Sequence, residues 1–151
     1  MKKIVIAVSI IFIAVIGISI LWNAGYIPLG LQVVEPAGCL YKADTEFDVV
    51  HCLGIDSDAL ENIEYEIYKT FVCSAEVFND YNNHLQNDGY ERHPEYERTI
   101  SYDKYELKIR TYIKGLTVVV IAASDINDYT YVLYSTGSVM DYKKILDEIT
   151  S

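Results

Sequence analysis

Histidine, cysteine and proline each occur only three times in the 151 residues, and tryptophan once. The histidines are His51, His84 and His93 and the cysteines Cys39, Cys52 and Cys73. No subset of them has the close paired spacing from which zinc sites are built. His51 and Cys52 are adjacent, but neighbours in a strand point to opposite faces and do not make a chelate. A thiol nucleophile would need a histidine brought to it by the fold, and no local signature announces one. The sequence also lacks a phosphate-cradling glycine loop, a nucleotide fingerprint and the strained serine turn of the α/β hydrolases. These absences leave no catalytic, metal-binding or cofactor-binding residue to nominate.

One stretch resembles a calcium loop in outline only. His84 to Glu95, "HLQNDGYERHPE", has glycine at the sixth place and glutamate at the twelfth. Its first and third positions are His84 and Gln86, so two early carboxylate donors are missing, and Pro94 interrupts the helix that should follow. A helix C-cap and a polar loop account for the same residues. Carboxylates are plentiful, but among 22 of them nothing singles out a pair at a glycosidase's separation with one pKa raised.

Positive charge is scarce as well: 12 Lys and Arg stand against 22 Asp and Glu, a formal net charge of −10. That balance argues against nucleic acid or an anionic lipid surface as a general partner. All the acidic residues lie beyond residue 22 with ten of the basic ones, so this part carries 10 minus 22, or −12.

What the sequence does have is a long hydrophobic start. Lys2 and Lys3 precede an uncharged, mostly apolar run from Ile4 to Trp22, which as a helix would span roughly 28 Å, close to a hydrocarbon core. A cleaved signal peptide has a shorter apolar region and a small-x-small site. Here a cut after Ala24 puts Trp22 at the minus-three position, and a cut after Gly25 puts Asn23 there. The run therefore reads as an uncleaved, single-pass signal anchor, with secretion or periplasmic release after cleavage as the alternative. Basic flanks stay in the cytoplasm, so residues 1–3 are expected inside and the C-terminal part outside. "PAGC", Pro36 to Cys39, has the outline of a lipobox, but Pro36 replaces the aliphatic residue and Cys39 lies well past the run. Residues 23–36, with two glycines and two prolines, read as a linker, and 37–151 as one extracytoplasmic domain of ordinary size.

Within that domain "CLYKADTEFDVVHC" reads as two short arms around Asp44 to Glu46, a hairpin that would oppose Cys39 and Cys52 for a disulfide. The alternative is three unpaired, buried thiols. A helix is expected from Asp58 to Asn87, started by Ser57, Asp58 and Glu61 and stopped at Gly89. Its core stripe would be Leu60, Ile63, Ile67, Phe71, Ala75, Phe78, Tyr81 and Leu85, with Cys73 on the back and Tyr65, Val72 and Val77 scattered over the polar side. After it the period changes to two. Strands are expected around Arg98 to Tyr102, at Tyr105 to Lys114, at Leu116 to Ala123 and at Tyr129 to Thr136. A closing helix starts at Ser138, with Val139, Tyr142, Ile145, Leu146 and Ile149 on one side. The expected fold is α+β: an N-terminal transmembrane helix, then a two-layer domain whose long helix and C-terminal helix pack on a 3–4 stranded antiparallel sheet.

One surface feature has shape. Arg98, Lys104, Lys108, Arg110 and Lys114 gather half of the domain's basic residues, and Lys108, Arg110 and Lys114 share a strand face with Tyr112. On an acidic protein with 14 tyrosines this is a candidate docking face for an acidic envelope protein or an anionic envelope polymer. The alternative is an ordinary wet face on which these bases pair with Glu95, Glu97, Asp103 and Glu106. The sequence thus points to a non-enzymatic, membrane-tethered binding or regulatory module of the accessory, inhibitor or immunity type. A small secreted or envelope enzyme and a structural component of an envelope assembly are the competing classes.

Overall fold

The computed structural model describes residues 14–21, 39–42, 64–102 and 105–150. Residues 14–21 are helical. Among the described residues no helix is long and apolar enough to cross a membrane. The rest of the expected anchor (4–22), the linker (23–36) and Cys52, hence the Cys39–Cys52 bridge, lie outside the described residues.

The described part beyond residue 38 is α+β, built on an antiparallel sheet. In chain order it contains β1 (Cys39–Lys42), β2 (Glu64–Thr70), α1 (Ser74–Asn87), β3 (Glu91–Arg92), a 3-10 turn (Pro94–Tyr96), β4 (Arg98–Tyr102), β5 (Tyr105–Lys114), β6 (Thr117–Ile126), β7 (Tyr129–Ser138) and α2 (Val139–Thr150). The strands lie in the order β1-β2-β7-β6-β5, and β3 and β4 share the outer edge of β5. β4 pairs with the first half of β5, through Arg98 opposite Ile109, and β3 with its end, through Arg92 opposite Tyr112. The long strands β5, β6 and β7 form a meander whose two-residue connections, Gly115-Leu116 and Asn127-Asp128, place Gly115 and Asn127 at φ +58° and +55°. Positive φ there matches the twist of the flanking strands.

The expected helix from Asp58 is corrected. Its described N-terminal half is the strand β2, paired with β7 over seven positions from Glu64–Thr136 to Thr70–Thr130. In isolation Ile67 and Phe71 fit a helical stripe. Tyr65, Ile67, Tyr68 and Thr70 also suit a pleated surface, and the ladder to β7 decides between them. The helix therefore begins at Ser74, and its buried positions are Ser74, Val77, Phe78, Tyr81 and Leu85. Val77, expected on the polar side, is fully buried, whereas Phe71 is 63% exposed.

The layering also differs from the expectation. Residues alternate along β6: Val118, Val120 and Ala122 join Leu107, Ile109, Leu133, Tyr142 and Leu146 in one core. Val119, Ile121 and Ala123 join Tyr68, Val77, Phe78, Tyr81, Leu85, Tyr112, Val132 and Tyr134 in the other. Helix α1 thus packs on one face of the sheet and α2 on the opposite one, giving three layers instead of two. This is why β6 is buried on both faces from Thr117 to Ser124, and why its sequence is apolar without alternation. Among the described residues the sheet has seven strands, not three or four, because β1, β2 and the two-residue β3 extend it.

The helix ends are fixed by local chemistry. At the C-terminus of α1, Gly89 takes φ +85°, its N–H donates to Gln86 O (3.0 Å), and the Tyr90 N–H donates to Leu85 O (2.9 Å). This is a Schellman stop, with Tyr90 packing back on the core that holds Leu85. At α2, Ser138 Oγ accepts from the Met140 N–H (3.1 Å), and the Val139 N–H is held by Leu116 O (2.8 Å).

Candidate functional site

The four residues singled out on β5 lie on the α1 side of the sheet. Tyr112 belongs to the core beneath α1, and Lys108, Arg110 and Lys114 share its parity along the strand. The surface differs from an open sheet face in one respect: Tyr112 is 0% exposed. A helix lies across this side, so only the longer basic side chains, each half-buried, reach past it.

Two of the three cations rest on aromatic rings. The Arg110 guanidinium lies 4.4 Å from the centre of the Phe78 ring, which α1 supplies. Lys114 Nζ lies 5.7 Å from the Tyr90 ring and donates to Asp88 O at 2.8 Å, spanning the end of α1. Among the described residues none of Lys108, Arg110 and Lys114 makes an ion pair with a carboxylate. Two of the four acidic residues expected to neutralise them are engaged elsewhere, and a third, Asp103, lies outside the described residues. Glu97 takes a two-point contact from Arg92 (2.5 and 2.7 Å), and Glu95 lies 2.7 Å from His93 Nδ1.

Arg92 stands opposite Tyr112 across the β3–β5 ladder. Burial pushes the Tyr112 hydroxyl above the ordinary phenol range, while Arg110 and Arg92 pull it back. Arg110 is the polar neighbour of the buried Tyr112 Oη, although their contact falls outside normal hydrogen-bond geometry; Asn82 Oδ1 on α1 is also buried without a hydrogen bond of normal geometry.

At the other end of α1 a carboxylate serves the fold. Asp125 Oδ1 accepts from the Ser74 N–H (2.8 Å) and from Thr130 Oγ1 (2.6 Å), and its Oδ2 accepts from Ser74 Oγ (2.5 Å). Burial raises the Asp125 pKa, but these hydrogen bonds and nearby Lys108 outweigh it and hold the carboxyl below its usual value. The helix has no side-chain cap of its own at Cys73, so a residue of β6 caps it from across the chain.

Among the described residues Cys73, His84 and His93 do not come together. Cys73, expected on the back of a helix, is an exposed free thiol at the N-cap of α1. His84 sits in the last turn of that helix, about 16 Å further along its axis, beside Asp88 at 3.4 Å. His93 stacks on Tyr96. Among the described residues no three His, Cys, Asp or Glu side chains gather as a metal site. No protein-family model matches the chain, and no curated protein matches it.

Sequence reasoning found the cations but missed Phe78, Tyr90 and Arg92 as their neighbours. Phe78 was legible as core, yet nothing in a linear pattern pairs it with Arg110. The two-residue strand that brings Arg92 to Tyr112 is too short to leave a periodic signal.

Proposed function

We propose that the chain is a membrane-tethered, extracytoplasmic binding or regulatory module, an accessory, inhibitor or immunity-type partner, that docks an acidic segment of an envelope protein. Tethering is supported by Lys2, Lys3 and the run from Ile4 to Trp22. Docking rests on one observation above the others: Arg110 and Lys114 are seated on aromatic rings and, with Lys108, make no ion pair with a carboxylate among the described residues, in a protein of net charge −10. A cation held in place loses little freedom on binding, so more of the interaction energy is retained. An acidic protein segment fits better than an anionic polymer. The net charge repels a long polyanion, whereas a short segment meets mainly the local field, because salt screens beyond about 8 Å.

The test is site-specific photocrosslinking of the full chain in its native envelope. A crosslinker at Lys108 or Lys114 should capture one defined envelope protein, and Lys108→Glu with Arg110→Glu should abolish the adduct. A crosslinker at Asp147, on α2 across the sheet, should not form it. Equal capture from both faces, or indifference to charge reversal, would overturn the docking reading. Recovery of a shortened chain in the soluble fraction would overturn the tether.

A further inference from the structure

The end of the sheet at which the chain arrives from its apolar start carries aromatic side chains at the surface. β1 begins at Cys39, which stands opposite Thr70, the last residue of β2, and Thr70 stands opposite Thr130 of β7. Phe71 follows β2 and Tyr129 opens β7, and their rings lie 5.1 Å apart. Lys69 Nζ lies 4.2 Å from the Tyr129 ring and 5.3 Å from the Tyr131 ring. Lys69, Tyr129 and Tyr131 share the strand parity of Ile67 and Leu133 and so lie on the α2 side. Helix α2, however, starts at the other end of the sheet and packs on β6, β7 and the 3-10 turn. Phe71 is 63% exposed. A lone exposed ring is ordinary, but three rings linked through one lysine form a patch of defined chemistry.

We infer that Phe71, Tyr129 and Tyr131 seat the domain on the zwitterionic phospholipid surface of the membrane that holds its anchor, with Phe71 entering the headgroup layer. This rests on the tethered reading and adds an orientation to it. Residues 23–38 join the apolar run to Cys39, and even fully stretched they keep Cys39 within about 60 Å of the bilayer. A contact too weak to hold a free protein suffices for one attached beside it. Aromatic rings with a lysine suit the water–lipid boundary, where the rings sit among headgroups and the lysine keeps its charge in the polar layer. Charge selects the lipid. Lys69 is matched by exposed Asp128 in the neighbouring turn, and a chain of net charge −10 is repelled by an anionic surface. In this orientation Lys114, beside the turn at the far end of β5, points away from the bilayer and stays open to a partner.

The full chain, carrying Trp22→Phe to remove its single tryptophan, is reconstituted through its anchor into phosphatidylcholine nanodiscs. One new tryptophan is introduced by Phe71→Trp or, as a control, by Met140→Trp, a position 80% exposed at the opposite end of the sheet. Lipid brominated high on its acyl chains should quench Phe71→Trp about threefold more than Met140→Trp, because interfacial side chains reach about 5–10 Å into the headgroup and acyl boundary. Adding phosphatidylglycerol should lessen that difference; an increase would overturn the zwitterionic assignment. Tyr129→Trp reads the same contact with Phe71 intact, and Phe71→Glu in that background should abolish its quenching while thermal unfolding stays unchanged, as for other exposed positions. Equal quenching at both ends, or none at Phe71→Trp in a chain that has entered the disc, would overturn the seat while the tether stands. Failure of the full chain to enter discs would overturn both. A blue-shifted Phe71→Trp emission that bromine does not quench and that grows with the number of chains per disc would give the patch to a second copy instead.

Discussion

The two faces of the sheet bury similar numbers of side chains but use different chemistry. The face under α2 is aliphatic: Leu107, Ile109, Val118, Val120, Ala122, Leu133 and Leu146 surround one tyrosine, Tyr142, which is bonded to Ser135. The face under α1 contains Tyr68, Tyr81, Tyr112 and Tyr134 among its buried residues, with Arg110 at its margin. Tyr81 and Tyr134 stack at 5.6 Å, and burial pushes the Tyr134 hydroxyl well above the usual phenol range. An all-aliphatic layer would fill the same space without polar groups to satisfy. The α1 face therefore carries hydroxyls that packing alone does not require, and one of them, on Tyr112, has only the Arg110 guanidinium beside it, outside normal hydrogen-bond geometry. The α2 side is the plainer structural layer, and the α1 side is the one that carries Lys108, Arg110 and Lys114.

The largest effect that probes this difference comes from emptying the α1 layer. Tyr81 is 0% exposed and lies between α1 and Tyr134. Tyr81→Ala should cost about 3–5 kcal/mol, the range for large aromatic truncations in cores, measured by urea unfolding. It should also release Arg110 from its seat. A cost below ~1 kcal/mol would mean that α1 is only loosely docked.

On the opposite face the sensitive point is a close approach. A Cβ built at Gly137 would lie 2.8 Å from Cε2 of the buried Tyr142 ring. Gly137→Ala should therefore destabilise by about 1–3 kcal/mol through overpacking. Leu146→Ala would relieve part of that cost by opening space beside α2, so the double variant should be less than additive. Simple additivity would show that the ring moves aside without disturbing its layer.

The Asp125 lock ties α1 to the sheet, and its loss should cost about 1 kcal/mol, as for other N-caps. Its folded pKa lies below the unfolded value. The stabilisation is thus complete above the unfolded pKa of about 3.9 and is lost as pH falls through the folded one. Stability against pH should accordingly slope downward at the acid end, and Asp125→Asn should remove part of that slope while leaving the alkaline side unchanged. An unaltered acid limb would show that other carboxylates set it.

The strands that a linear pattern could disclose are the ones with strict periods. β5 alternates from Tyr105 to Lys114 and β4 occupies Arg98–Tyr102, as expected from the residues alone. Ser138 was legible as a cap because its hydroxyl precedes a helical stripe. The segment before Ser74 was not, since Ile67 and Phe71 fall on one helical stripe locally and only the ladder to β7 makes Glu64–Thr70 a strand. The doubly apolar β6 was read as a central strand, but the assignment of one helix to each face depends on which way the chain crosses after Ser138. The strip Lys108, Arg110 and Lys114 was visible by parity. Its meaning depends on Phe78 and Tyr90, which the fold delivers from α1 and its Schellman stop.

The smallest expected effect is the most discriminating between the two faces, because it compares one hydroxyl with another. Ser135 Oγ already donates to Glu64 O at 2.7 Å, so in its contact with Tyr142 the tyrosine is the donor. Tyr142→Phe removes a made hydrogen bond and should cost about 1 kcal/mol. Tyr112→Phe removes a hydroxyl that has Arg110 beside it but makes no hydrogen bond of normal geometry, and should leave stability unchanged or raise it by up to ~1 kcal/mol, since burying a poorly paired polar group is itself unfavourable. Both substitutions delete a single oxygen from a buried ring, so the packing terms nearly cancel and the sign of the difference reports whether each hydroxyl is engaged. Equal losses in parallel urea titrations would mean that Tyr112 is already satisfied by Arg110 in the free protein. The two faces would then be equally complete in their buried hydroxyls.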